Sequence, residues 1–301
     1  MKTMRILLFF LLVFGNSIKI LAQDEEEENL PVKKPKFLTG FYLGSYFPNK
    51  YTATVYNGYG FALDGTQNAF QSSLMYQKIK MEYGGGYGQR DQIADALSVD
   101  QKQWEFNETD MPINMRYTPA IMVGLNFKLP VMKRSAFIFN LNATKLSVEG
   151  NFTMTLIKPQ NPNPTLNTNQ RVCAIRGNEQ RLQFQLGFQH VFGKNDKAGV
   201  FGELGLNGTL AKFDKNVIYI NDLQIDLTYY ANDALYIYSV PARKPVGFGL
   251  GAFAGLGINF EMNPKFSLQF LYTLSHEKVN LGNSPTLKLQ HALGLRIYYK
   301  F

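Results

Sequence analysis

The chain has 301 residues, 45% of them hydrophobic and 14% aromatic, with 31 Lys and Arg against 23 Asp and Glu and a single cysteine, Cys173. One cysteine excludes an internal disulfide, and its distance from the N-terminus excludes lipid attachment near a cleavage site. The formal charge of +8 includes Lys2, Arg5 and Lys19, and the remaining basic residues are scattered without a recognition motif, so a nucleic-acid partner is excluded as well.

In chain order, Met1 to Ala22 joins a basic start to an apolar run over Ile6 to Phe14 and ends Ile20-Leu21-Ala22, the layout of a signal peptide cleaved after Ala22. The run is shorter than the roughly 20 residues a spanning helix needs. No later stretch reaches that length, so an exported chain that enters lipid must do so as a closed β-barrel. Residues 23–36 carry the acidic run Asp24 to Glu28 followed by Pro31, Lys33, Lys34 and Pro35, read as an extended periplasmic leader.

Alternation of apolar and polar or small residues then predicts strands, because successive strand side chains point to opposite sides. The first is Phe37 to Phe47, the second Thr118 to Leu129 ending at Pro130, and the third opens at Phe137. Ser147 to Ile157 continues as a projecting hairpin above the membrane, closed by the Pro-Asn-rich stretch Lys158 to Thr168. Arg181 to Phe192 and Val200 to Leu210 form the fourth and fifth, with local β content expected over Val217 to Ile225. The sixth, Val246 to Phe260, alternates Gly247, Gly249, Gly251, Gly255 and Gly257 with apolar residues. A phosphate-cradling loop would need a turn into a helix, so these glycines are read as room and curvature inside a narrow barrel. Phe266 to His276 is the seventh strand, and Thr286 to Phe301 the eighth.

Short turns near Met132, Asn195 and Asn263 alternate with longer connections after Phe47, Ile157, Ile220 and Val279, and both termini fall on the short-turn side. The fold class is therefore all-β, a transmembrane antiparallel up-and-down barrel over 37–301 with eight strands and long extracellular loops. A ten-strand alternative adds Thr52 to Leu63 and Ser73 to Tyr83 as a membrane hairpin, but Lys78, Lys80 and Glu82 make poor lipid surface.

The ending Tyr299 to Phe301 resembles the closing strand of bacterial outer-membrane barrels, which the barrel-assembly machinery reads, so Tyr299 and Phe301 are the expected assembly signal. The alternating connections resemble the eight-stranded outer-membrane barrels. The runs Tyr83-Gly84-Gly85-Gly86-Tyr87-Gly88, Asp110-Met111-Pro112, Met115 to Pro119 and Gly150-Asn151-Phe152-Thr153 resemble specifically the outer-membrane β-barrel family of Bacteroidota. That likeness implies residence in the bacterial outer membrane, contact with lipid and lipopolysaccharide, and no cofactor.

An eight-stranded interior is filled by side chains. Glu203, Arg296, Gln183, Gln189, Gln269 and Lys288 are read as its polar core, with Glu203 and Arg296 at similar depth and expected to pair. His190, His276 and His291 lack the spacing of a metal motif. Lipid A deacylases, which are also eight-stranded barrels, carry a His-Ser-Glu constellation on the lipid-facing wall. Here Ser275 and Glu277 flank His276 and so face inward, and the order after the histidine differs. The first loop, 48–117, gathers Tyr51, Tyr56, Tyr59, Tyr83, Tyr87, Trp104 and Phe106, which serve either as a docking surface or as a cap packed on itself, with a short helix expected over Gln92 to Val99. The leading expectation is a non-enzymatic barrel, an accessory or structural subunit of an assembly, secretion or uptake complex that binds a protein partner through its loops. A lipid-A-modifying enzyme and a small-solute porin are the alternatives.

Overall fold

The computed structural model describes residues 37–61, 66–80, 88–157, 170–193, 197–228, 245–281 and 287–300. The leader readings over 1–22 and 23–36, Tyr83, Tyr87 and Phe301 lie outside the described residues.

Eight strands form the wall: β1 (Leu38–Phe47), β2 (Ala120–Pro130), β3 (Ser135–Leu156), β4 (Gln170–Phe192), β5 (Ala198–Ile220), β6 (Val246–Glu261), β7 (Phe266–Glu277) and β8 (Lys288–Lys300). Each pairs antiparallel with the next. β8 returns to β1, with Leu38 opposite Lys300 and Phe47 opposite His291, so the sheet is a closed ring in simple meander order. Closure removes the edges that would expose unpaired backbone. The ten-strand alternative fails because Lys50–Tyr56 is a 3-10 turn and Leu74–Lys80 is an α-helix, α1.

The outward side of this ring is apolar from strand to strand. Phe41, Leu43, Val123, Leu125, Phe137, Phe139, Leu186, Leu204, Leu206, Phe248, Leu256, Phe270, Leu293 and Ile297 are all exposed, while inward neighbours such as Tyr42, Asn140, Gln185, Asn207, Gln269 and Arg296 are buried. On a closed ring such a belt has one stable solvent, the hydrocarbon of a bilayer. The belt stops at a polar row, Lys145, Gln180 and Lys212, which are exposed and mutually in register.

β3, β4 and β5 do not stop there. They run 22, 23 and 23 residues, roughly 75 Å at about 3.3 Å per residue, far beyond an apolar band about 25 Å tall. The fourth strand begins at Gln170 rather than Arg181, and the fifth continues past Leu210 to Ile220, where Leu223–Asp226 folds back on it. Above the polar row the outward face carries Ser147 and Lys215, whereas the inward face becomes apolar, with Leu146, Val148, Phe152, Ile175, Phe213 and Ile218 buried. A reading of the outward face for lipid surface ends too early for that reason. At Asp214 the β4–β5 register shifts by one residue, a bulge at the step out of the membrane.

Segment 48–117 covers this inward apolar face. Trp104–Glu105 pairs with Leu156 and Thr155, and Arg116–Tyr117 with Glu149 and Val148, which fastens the segment to the upper half of β3. α1 buries Leu74, Met75 and Ile79, and α2 (Gln89–Leu97) buries Ile93, Ala94 and Leu97 at helical spacing. The Gly88 backbone N–H donates to Asp91 at the start of α2, and Ser98, in the left-handed region at φ 56°, ends it. Asp110, 1% exposed, accepts hydrogen bonds from the Asn107 backbone and from the Thr153 and Thr155 hydroxyls of β3. The result is an extramembrane cap with a continuous apolar core shared between 53–115 and the tops of β3, β4 and β5.

Candidate functional site: the plugged lumen and its cap

Inward positions of the ring build two buried ionic clusters, one above the other. In the lower cluster Arg296 on β8 donates from Nη1 and Nη2 to both Glu203 carboxylate oxygens on β5, at 2.7 and 3.0 Å. Glu203 also accepts from Gln189 Nε2 at 3.3 Å, Gln189 and Gln269 bond each other, and Gln269 donates to Asn259 at 2.9 Å. The structure thus brings four of the expected lumen residues into one network. A carboxylate with a forked guanidinium and a further donor is the arrangement that makes burial of two charges tolerable.

The upper cluster is centred on Arg181 of β4. Its Nε donates to Glu179 at 2.5 Å, Nη1 to the Tyr46 hydroxyl at 3.1 Å, and Nη2 to Tyr117 and to Thr52 at 3.0 and 3.1 Å. The Tyr117 hydroxyl in turn donates to Glu179 at 2.6 Å, and Tyr46 donates to Glu277 at 3.2 Å. Glu277 further accepts from Gln183, Thr209 and Asn207. One guanidinium therefore links the barrel wall, the lumen and, through Thr52, the cap. Sequence reading did not select Glu179, Arg181, Tyr46 or Glu277 for the polar core. The available signal was parity: Arg181 shares the inward face with Gln183 and Gln185, and Glu277 with Ser275 and Gln269.

Lys288 is a correction. It sits at the extracellular rim opposite Glu277, with its ammonium 4.4 Å above the Tyr51 ring rather than in the lumen. Its place in the alternation is right, but it is the first residue of β8, only half-buried, and its side chain turns to the cap.

At the level of the lower cluster and just below it, side chains fill the space that glycines leave. A Cβ on Gly257 would lie 2.5 Å from the Phe201 ring, and one on Gly255 would lie 2.6 Å from Glu203 Cγ. The gap bordered by Tyr42, Tyr46, Gln183 and Arg296 measures about 10 Å³, the space of one water. Among the described residues the lumen is a packed polar core. The periplasmic mouth below it is an open cavity of about 600 Å³ lined in part by Lys128, Arg134, Lys300 and Tyr299. Tyr299 there meets the Phe266 ring at 5.3 Å between centroids.

The cap corrects the docking reading for three of its residues. Tyr56, Trp104 and Phe106 are at most 1% exposed. Tyr56 stacks on Phe213 at 4.6 Å, and Phe106 meets Phe152 edge-on at 6.2 Å. Their rings are spent on holding the cap to the strands. Tyr59 is partly buried, its hydroxyl pushed above the ordinary range by burial and by Glu108, and Tyr51 is exposed. On β7, His276 is exposed and faces outward while Ser275 and Glu277 are buried in the lumen, so the three do not converge. His291 instead contacts the Tyr272 hydroxyl.

A closed eight-stranded ring with a lipid-facing belt, a filled interior and short turns at the end bearing both termini defines an integral β-barrel protein of the bacterial outer membrane. No family model matches the chain, and no curated protein matches it. Among solved structures it is similar to the outer membrane protein OprG of Pseudomonas aeruginosa (TM-score 0.40, 9% identity, 89% of this chain and 97% of that one). It is also similar to Neisserial surface protein A (0.38, 7%, 88% and 96%) and to the attachment invasion locus protein Ail of Yersinia pestis (0.36, 11%, 89% and 100%). The chain's own ring and belt define its class.

Proposed function

We propose that this chain is a non-enzymatic, non-conducting outer-membrane barrel of the Bacteroidota type, acting as an accessory or structural subunit of an envelope complex for assembly, secretion or uptake. The observation that carries the reading is the division of labour along the barrel axis. The lumen is packed by ion pairs, whereas the mass added to a minimal barrel is a folded cap above the membrane. Such a cap offers a rigid surface for a protein partner, and Tyr51, Ile113 and Val172 stand on it 56%, 85% and 71% exposed. The separation of His276 from Ser275 and Glu277 speaks against lipid A chemistry on the wall. Photo-crosslinking from positions 113 and 172 in intact membranes, followed by purification in mild detergent, tests the proposal. One reproducible protein partner, lost on Ile113→Asp or Val172→Asp, is the expected result. A monomer without any partner from either position, or altered lipid A in overexpressing cells, overturns it.

A further inference from the structure

The outer wall changes character at one level. Lys145, Gln180 and Lys212 form a single outward row across β3, β4 and β5. Directly beneath it lies the row Val123, Ala143, Leu182 and Leu210. Strands about 4.8 Å apart place the two lysine backbones roughly 10 Å from each other. Ala143 is the small member of its row, and around it the wall is indented by a hollow of about 600 Å³ bordered by Ile121, Val123, Leu182, Leu210 and the two lysines.

An apolar groove closed by two cations at the boundary between hydrocarbon and headgroups is complementary to an anionic lipid. Its acyl chain would lie over Ala143, and its phosphate between the ammonium groups. The acidic group nearby is Asp214, the bulge residue, 3.9 Å from Lys145 with side chains 27% and 64% exposed. A surface pairing of that kind contributes little. Lys215, outward in the next row, keeps the patch net positive.

We propose that this hollow is a binding site for a phosphate-bearing lipid of the outer leaflet, with Lys145 and Lys212 as phosphate ligands and the Ala143 indentation as the acyl-chain seat. The test uses the full-length protein in nanodiscs of neutral phosphatidylcholine doped with diphosphorylated lipid A, or with the same lipid dephosphorylated, read by native mass spectrometry. One diphosphorylated lipid A should stay bound, and the dephosphorylated lipid should not. Lys145→Gln combined with Lys212→Gln should weaken retention about thirtyfold. Ala143→Phe, which fills the seat, should also reduce it, whereas Lys133→Gln in the turn at the opposite end should have no effect. If the double variant does not fold, Lys212→Gln alone should weaken retention about fivefold. Equal retention of the two lipids, or wild-type retention by the lysine variants, overturns the assignment.

Discussion

Arg296 and Glu203 stand on strands three apart in the ring and meet across the lumen through two hydrogen bonds, with 1% and 3% of their surfaces exposed. Removing one partner leaves an uncompensated buried charge, which costs about 3–5 kcal/mol. Glu203→Gln should therefore lower the unfolding temperature in detergent, and Arg296→Met added to it should recover part of the loss. Simple additivity of the two effects would show that the pair is not coupled.

Gly255 connects to the same pair by space rather than charge. Its missing side chain makes room for Glu203, so Gly255→Val should push the carboxylate off Arg296 and destabilise the barrel. In a Glu203→Ala background the same substitution should cost much less. That non-additivity is measurable by thermal melts of the four variants.

Trp104 is fully buried in the cap core, with the Arg90 guanidinium 4.7 Å over its ring. Trp104→Ala should remove about 3–5 kcal/mol from the cap and admit protease between residues 48 and 117. The barrel below should keep its heat-modifiable migration on gels. Tyr51→Ala, at an exposed position, should leave the protease pattern unchanged.

Cys173 lies above the membrane, opposite Phe152 on β3. Burial pushes its thiol from 9.0 up to about 12, with Arg171 opposing. The thiolate is the reactive form, so at pH 8 maleimide labelling of the folded protein should run about a thousandfold slower than that of a free thiol. Because the folded value is the higher one, the thiol's contribution to stability is fully present below pH 9 and is lost as pH rises toward 12. Labelling at pH 8 as fast as for an unfolded control would contradict this burial.

A filled lumen predicts no stepwise conductance in planar bilayers. Phe201→Ala, which empties the space beside Gly257, should lower stability by about 3–5 kcal/mol and still leave both ionic layers across the path. Steps of conductance from wild-type protein would overturn the packed reading.

The membrane half of this protein is legible in its sequence because lipid demands one-sided alternation, and the runs around Phe137, Phe184 and Phe270 meet that demand with little noise. The cap is not. Residues such as Val148, Ile175 and Ile218 face inward while Lys145, Gln180 and Lys212 face out, so the polarity of the alternation inverts at the membrane boundary. A soluble rule replaces a lipid rule within single strands. The upper ionic cluster is hidden for a related reason: the lipid-facing alternation makes Arg181 the first residue of its strand, whereas eleven residues precede it in β4. Tyr46, Thr52 and Tyr117 reach it from segments far apart in sequence, and no local spacing carries that convergence.

The cap core draws on residues 53–115, on the top of β3 that follows directly, and on residues as late as Leu227 and Leu281, so it is not complete until most of the chain is in place. The cap's contacts with the strands include pairs 33 residues apart, Arg116 and Glu149, and 160 apart, Tyr56 and Asn216, and closure over the longer of these is slow. The expected consequence is that segment 48–117 packs fully onto the strands only late in assembly. Protease should then cut between residues 48 and 117 in an unfinished barrel and spare the same segment in a finished one.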